Sequence, residues 1–545
     1  MQCTLNFSTT RPRLPTIPPI IGSAVTLSSP RPFSRIRTFR APATAAAVAL
    51  GLYLATLSRH YTGDSIEYAL AIELGDSAFL LDPYHPLLHP LGLAFYRLWQ
   101  AFGWTGQSLL PLQILNALAG AMCAGLVADI ARRLTGSSRL ALLAGLGFAV
   151  SGGAWMLSIE AEFVTVPLAF ALLVLWMLFT ASPDQAGKAW YAILLALVTI
   201  LAFSTYATGA ILLFVVVIGI LMDSRLEGAI RRRQVLIYGS TFLVVAVPAS
   251  LVFLAQWSQG DWARVPAYFF SRGDYSRFVL SDLPHGVYGF LRSLALYPRL
   301  SLVGTTSEFL AQASPTARGL WVVYYTLVLL IVCTPLALAV RYRNRLLASH
   351  RRTLAVLTVW SAGYALAAVY WVPGDVSFWL PVLAAWWLLL ALVFTAETDA
   401  DMPTKKRRLP AALAIAVVAL AVANAVFEVL PRHNLSTNLP YQVAADVAAQ
   451  TGENDLFLTR PDDISGLYLA YFGGRQVLYA TPATLDRLHH YLVSSPEPPV
   501  GRVLVVDADG ERLDWWGSTL AASQWQLIQL APQQRDGLLI ELSPR

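Results

Sequence analysis

About eleven apolar stretches, each near the length that crosses a bilayer as a helix, recur between Pro42 and Leu430. They leave few folds open. Some 20 helical residues span a hydrocarbon core, because each residue advances about 1.5 Å. The stretches fall near 42–58, 108–131, 140–157, 164–180, 189–205, 207–222, 235–256, 319–340, 353–371, 377–395 and 410–430. The chain therefore reads as an α-helical polytopic membrane protein. Charged residues make up 13% and hydrophobic residues 56%, whereas soluble domains carry about 25% charged residues. A water-soluble globule is excluded. The net charge of +6 comes from arginine clusters between the apolar runs, which is topology signalling and not a nucleic-acid surface. Cys3, Cys123 and Cys333 are too far apart in sequence to suggest a disulfide framework or a zinc site.

The break Ser204-Thr205-Tyr206-Ala207-Thr208-Gly209 divides one long apolar region in two, and one tilted helix is the rival reading. Basic residues favour the division. With eleven spans, the tail arginines, Arg132-Arg133 with Arg139, Arg231–Arg233, Arg341–Arg352 and Lys405–Arg408 all face one side, the cytoplasm. With ten, the last three clusters would face outward. The expected topology is N-in and C-out.

Residues 1–40 are rich in Pro, Ser and Arg and lack acids, so they read as a disordered cytoplasmic tail or, alternatively, an organelle transit peptide. Residues 41–430 form the transmembrane region, with a first outer loop at 59–107 and a long outer loop at 256–318. Residues 431–545 read as a small non-cytoplasmic α/β domain. Strand-like runs at 455–459, 502–507, 525–530 and 538–542 alternate there with helical stretches such as 441–450, and Val503–Val506 suits a strand buried on both faces.

The first outer loop concentrates the polar chemistry. His60-Tyr61-Thr62-Gly63-Asp64-Ser65-Ile66-Glu67-Tyr68 follows directly on the first span. Asp64 can be an N-cap with Glu67 three residues on, a capping-box arrangement; helical spacing also puts Asp64, Glu67 and Tyr68 on one face. Next comes Asp82-Pro83-Tyr84-His85-Pro86-Leu87-Leu88-His89-Pro90, whose prolines suit a rigid, preorganised site. Leu87–Trp104 reads as an interfacial helix with Tyr96, Trp99 and Trp104 at headgroup depth. A carboxylate shielded at a membrane surface can serve as a general base towards an acceptor hydroxyl while a lipid phosphate leaves. His85 and His89 could bind a divalent metal, although Pro86 and Pro90 spoil a regular helix between them.

Gly63-Asp64-Ser65 with Glu67-Tyr68, followed by His85-Pro86-Leu87-Leu88-His89-Pro90-Leu91, resembles the first outer loop of GT-C glycosyltransferases, most closely the protein O-mannosyltransferase-like members. The resemblance implies a multispan enzyme using a polyprenyl- or dolichyl-phosphate sugar donor, with Asp64 as the base. Family members also carry an acidic residue near the start of a later span, which Glu160 and Glu162 resemble. Trp371-Val372-Pro373-Gly374-Asp375 before Phe378-Trp379-Leu380-Pro381 is similar to the family's last outer turn. Many relatives have adjacent Asp and Glu, whereas here Ser65-Ile66 intervene before Glu67.

The reading that follows is transfer of a sugar to an acceptor hydroxyl on a glycan, lipid or protein, at the periplasmic face of a bacterial inner membrane. Asp64 would act as base and Glu67 would assist. Tyr68, His85, His89, Glu160, Glu162 and Asp375 would contact substrate, and Arg272 and Arg277 of the long loop would hold the donor phosphate. Surface charge or pairing with Asp261, Asp274 and Asp282 is the plainer reading of the loop arginines. Asp507-Ala508-Asp509-Gly510 lacks the remaining ligands of a calcium loop. No cofactor is firmly implied beyond the lipid-phosphate sugar, which is a substrate. The rivals are a transporter or lipid-sugar flippase, and an inactive relative serving in assembly; polar residues gathered in outer loops favour the enzyme over the transporter.

Overall fold

Without water in a bilayer core, a chain must satisfy its backbone groups within each segment, so apolar runs fold as helices. The computed structural model describes residues 40–75, 80, 82–162, 164–266, 283–295, 314–398, 405–460, 463–481, 484–488, 490, 502–507, 525–529 and 538–544. Helices α1 (Arg40–Ala55), α2 (Gly63–Leu74), α3 (Leu88–Ala101), α4 (Leu109–Thr135), α5 (Ser138–Val150), α6 (Gly152–Ile159) and α7 (Thr165–Thr180) come first. They are followed by α8 (Ala189–Thr205), α9 (Ile211–Leu221), α10 (Gly228–Trp257), α11 (Leu283–Leu294), α12 (Pro315–Arg341), α13 (Arg343–Trp371), α14 (Val376–Thr398) and α15 (Lys405–Asn424).

Among the described residues, six helical stretches are long and apolar enough to cross a membrane: 109–135, 228–257, 318–341, 343–371, 376–396 and 410–433. A seventh arises if α5 and α6, bent by 62° at Ser151, count as one. The other four expected stretches are shorter apolar helices: α1, α7, α8 and the run 207–221.

Small residues set the core. Ala45 and Ala49 of α1, Ala117, Ala124 and Ala128 of α4, and Ala141 and Ala144 of α5 are all buried, which lets these helix backbones approach closely. Several polar groups inside the bundle find partners, most of them at helix ends and breaks. Asn424 Nδ2 donates to Val150 O (2.8 Å) and Leu294 O (3.1 Å). Trp387 Nε1 donates to Ser151 Oγ at 3.0 Å, and Trp360 Nε1 to Pro381 O at 2.8 Å. Each removes the penalty of an unpaired polar group in apolar surroundings.

At one end of the bundle, Arg352 and Arg225 both pair with buried Asp223 (2.9 and 2.7 Å), and Arg233 Nη2 donates to Gly187 O. The start of α8, the end of α9 and the start of α10 therefore meet there, and α8 and α9 run as an up-and-down pair joined at the Ser204–Gly209 break.

The chain after α15 passes through a π-helical turn (Ala425–Val429) and then forms α16 (Leu439–Gln450), β1 (Leu456–Thr459), α17 (Ile464–Gly473), β2 (Gln476–Tyr479), β3 (Val503–Asp507), β4 (Trp525–Gln529) and β5 (Leu538–Pro544). The sheet order is β2-β1-β3-β5-β4. β1 pairs in parallel with β2 and β3, and β5 is antiparallel to β3 and β4, with Leu456 opposite Val503 and Val505 opposite Ile540. Leu456, Phe457, Leu458 and Val503 to Val505 are buried, as strands covered on both faces are. α17 ends on Gly474 in the left-handed region, φ 62°, where a glycine carries no Cβ penalty. Ile66, Ala69 and Ile72 of α2 share one apolar cluster with Val443, Val447, Tyr468, Leu469 and Leu504.

Candidate active site

The site is built around α2. Its cap is Thr62, whose Oγ1 accepts from Ser65 N at 3.2 Å, so Asp64 is not the cap that the capping-box reading made it. The helix starts two residues earlier than that reading has it, at Gly63, which places Asp64 in its first turn, where a negative side chain favours the helix dipole. One face, Ile66, Ala69 and Ile72, is buried against α17 and α4. On another face Asp64, Glu67, Tyr68 and Ala71, spaced at helical intervals, line a cavity of about 740 Å³.

The Asp82–Pro90 turn forms the second wall. Tyr84 N donates to Asp82 Oδ1 at 2.9 Å and His85 N to Asp82 O at 3.0 Å. Pro90 lies in the first turn of α3, where its missing N–H costs nothing. His85 precedes α3 and His89 lies within it, and both are buried. Tyr68 packs on His89 with ring centroids 4.3 Å apart. Burial lowers the pKa of His89 and keeps the imidazole neutral, while Asp82 works against that; burial raises the Tyr68 phenol, and Asp82 adds to it. Tyr96 is buried against the protein, and its hydroxyl donates to Gly106 O at 3.0 Å.

The third wall is the α8–α9 break. Leu87 N donates to Ser204 O (2.8 Å) and Ala207 N to Tyr84 O (3.0 Å), so the broken helix lends its free backbone groups to the outer turn. His85 Nδ1 donates to Thr205 O at 3.3 Å, and its ring stacks on Tyr206 at 4.9 Å and 12°. The turn between α13 and α14 closes the cavity with Trp371, Val372, Asp375 and Phe378. Tyr84 meets Trp371 edge-on at 4.9 Å, and Asp375 Oδ1 accepts from Ser377 N at 2.8 Å.

The cavity thus gathers Asp64, Glu67, Tyr68, His85, His89 and Asp375 from three distant parts of the sequence. With Asp82 it has four carboxylates and two imidazoles, and no Lys or Arg among its described lining residues. Glu160 and Glu162 do not line it. Glu162 Oε1 accepts from Thr62 Oγ1 at 2.5 Å, directly behind the cap of α2. Glu160 pairs with Arg432 at 2.6 Å, and Arg432 also holds Glu428. Burial pushes Glu160 up to about 7 against the pull of Arg432; burial and the nearby charge of Asp64 raise Glu162 well above the usual range. Asn116 of α4 holds this segment, donating to Glu160 O at 2.9 Å and to Glu162 O, and accepting from Thr165 Oγ1 at 2.6 Å.

Arg272 and Arg277 lie outside the described residues. Of the other loop arginines, Arg264 stands 4.0 Å from Asp261 with both side chains over half exposed, a surface pair of little weight. Arg292 Nη1 donates to Gly374 O at 3.3 Å, beside Asp375. Among the described residues no three His, Cys, Asp or Glu side chains are grouped to hold a metal. Sequence reasoning missed Tyr206, Thr208, Trp257 and Tyr370 as lining residues. The polar break at Ser204–Gly209 is the sequence signal for the first two; Trp257 and Tyr370 lie near the ends of α10 and α13, with no such signal.

Residues 85–252 match the family model described as dolichyl-phosphate-mannose-protein mannosyltransferase. That segment holds the His85 turn, Glu160, Glu162 and the Tyr206 break, and is less than a third of the chain. No curated protein matches the sequence significantly. Two solved structures of ArnT from Cupriavidus metallidurans share the fold over nearly its whole length. The apo form matches with a TM-score of 0.59 and 14% identity, over 93% of this chain and 98% of that one. The form bound to undecaprenyl phosphate matches with a TM-score of 0.57 and 13% identity, over 94% and 98%.

Proposed function

We propose that this chain, a mannosyltransferase-like glycosyltransferase of the GT-C type, moves a sugar from a polyprenyl-phosphate carrier to an acceptor hydroxyl in the α2 cavity, with Asp64 as general base. One observation carries the reading: Asp64, Glu67, Tyr68, His85, His89 and Asp375 line a single cavity although more than 300 positions separate the first from the last.

In the reaction, an Asp64 carboxylate oxygen takes the proton of the acceptor hydroxyl. The hydroxyl oxygen forms a bond to the anomeric carbon as the bond from that carbon to the phosphate oxygen breaks. The electron pair leaves with the lipid phosphate, and the configuration inverts. Glu67, one helical turn from Asp64, orients the acceptor. The departing phosphate needs positive charge and not a proton, and neutral His89 can donate one hydrogen bond to it. Cationic help is assigned to Arg272 or Arg277. Glu162 and Glu160 support the site from behind, Glu162 through the cap of α2. Asp375 and Tyr68 bound the sugar. The cavity is assigned to the periplasmic face of a bacterial inner membrane, and the acceptor is a glycan, lipid or protein hydroxyl.

The test is label transfer by the purified protein from a panel of polyprenyl-phosphate sugars. Asp64→Asn should lower the rate by about 10²-fold or more, the usual share of a general base. Unchanged transfer in that variant removes the assigned base. Substrate carried across proteoliposomes without a glycosidic product would replace the enzyme by a transporter.

A further inference from the structure

A second groove, of about 420 Å³, shares no lining residue with the reaction cavity. It lies where helices end. Leu54 is in the last turn of α1 and is 42% exposed; Leu57 follows it, and Leu110 opens α4. Apolar helix ends of this kind mark the boundary between hydrocarbon and headgroups, where tryptophan is enriched. Trp104 lines the groove there, its indole Nε1 donating to Gln107 O at 3.1 Å.

The charge of the groove is opposite to that of the cavity. Its lining includes Arg59 and His433 and no Asp or Glu. Neighbouring Arg432 is spent on Glu160 and Glu428. Arg59 is exposed, and its guanidinium has no ion pair or hydrogen bond among the described residues. Only its backbone is engaged, N donating to Arg432 O at 2.8 Å and O accepting from Asn438 Nδ2 at 2.8 Å. His433 Nδ1 donates to Leu57 O at 2.9 Å, which leaves its other ring nitrogen for a ligand. A guanidinium suits two phosphate oxygens at once.

We infer that this groove holds the phosphate headgroup of an anionic membrane lipid, with Arg59 as the principal contact and an acyl chain along Leu54, Leu57 and Leu110. The inference does not rest on the glycosyl-transfer reading, because it concerns a different set of residues and a binding event.

The full chain in nanodiscs of equal phosphatidylglycerol and phosphatidylcholine provides the test, with co-purifying lipid counted by native mass spectrometry. The parent protein should retain phosphatidylglycerol preferentially. Arg59→Gln should reduce that preference about fivefold, the ratio set by about 1 kcal/mol per basic residue at a membrane surface. Arg97→Gln, at an exposed arginine of α3 held by Gln100, should leave it intact. Thermal unfolding of each variant should match the parent. No preference in the parent, an unaltered preference in Arg59→Gln, or an equal loss in Arg97→Gln would overturn the assignment.

Discussion

Thr62 Oγ1 lies 2.5 Å from Glu162 Oε1, so the cap of the helix bearing Asp64 is fastened to the segment that joins α6 to α7. The same hydroxyl accepts from Ser65 N at 3.2 Å and meets Ser65 Oγ at 2.9 Å, so its one proton and both lone pairs are used. Two elements a hundred positions apart are thereby held to one geometry.

Thr62→Val keeps the side-chain shape and removes all three bonds. It should cost about 1 kcal/mol in stability, as loss of a helix cap does, and slow label transfer. Thr62→Ser, which retains the hydroxyl, should behave like the parent. Equal rates for the valine and serine variants would break the link between cap and site.

Glu160 gives a pH dependence. Its carboxyl titrates near 7 in the folded protein against an ordinary 4.5, because burial disfavours the charge. The folded state therefore holds the proton more tightly than the unfolded chain. That contribution is full below about 4.5 and is lost as pH rises towards about 7. The thermal midpoint should fall across this window, and the fall should be shallower in Glu160→Gln, which cannot titrate. A midpoint that rises equally in both proteins would contradict the sign.

Asn116→Leu should be among the most damaging single changes in α4. It leaves the carbonyls of Glu160 and Glu162 and the hydroxyl of Thr165 without their amide partner in a buried place. Unsatisfied buried groups cost about 1–3 kcal/mol each. The expected readout is a loss of about 2 kcal/mol or more in thermal or denaturant unfolding.

Tyr206→Ala should remove the flat surface on which His85 rests and raise the KM for donor, while Tyr206→Phe keeps the stack and should stay within about twofold of the parent. Steady-state kinetics separate the two outcomes.

Tyr471 OH donates to Glu73 Oε1 at 2.7 Å and accepts from Leu109 N at 3.2 Å. Tyr471→Phe should destabilise the seam between α17 and α2 by about 1–2 kcal/mol. Faster hydrogen exchange across residues 63–74, with exchange in α13 unaltered, is the sign to look for.

Much of this was legible from composition and spacing. The apolar runs gave the helices because a bilayer solvent leaves no other way to satisfy the backbone. The four strand-like runs lie where β1, β3, β4 and β5 lie, and β1 and β3 are buried and rich in apolar residues. β2 escaped notice: Gln476–Tyr479 is a four-residue edge strand, mostly exposed, with no period to read. Asp64, Glu67 and Tyr68 were placed together by helical spacing alone. Their meeting with Tyr206 and Asp375 was not derivable that way, because it depends on how distant helices pack. The same holds for Glu160, whose partner Arg432 lies 272 positions away. Thr62 and Asp64 both fit the local N-cap pattern, and only the folded backbone separates them.

The apolar cluster shared by α2 and the residues beyond Pro431 has a practical consequence. Among the described residues, Ile66, Ala69 and Ile72 share their apolar cluster with residues of α3 and α4, with Ala161, and with the region between Val443 and Leu504. That region cannot be grafted from a relative as an interchangeable module. A chimera would have to import residues 61–74 and 107–112 with it, so that the helix bearing Asp64 and the residues packed on it are exchanged as one inheritable piece.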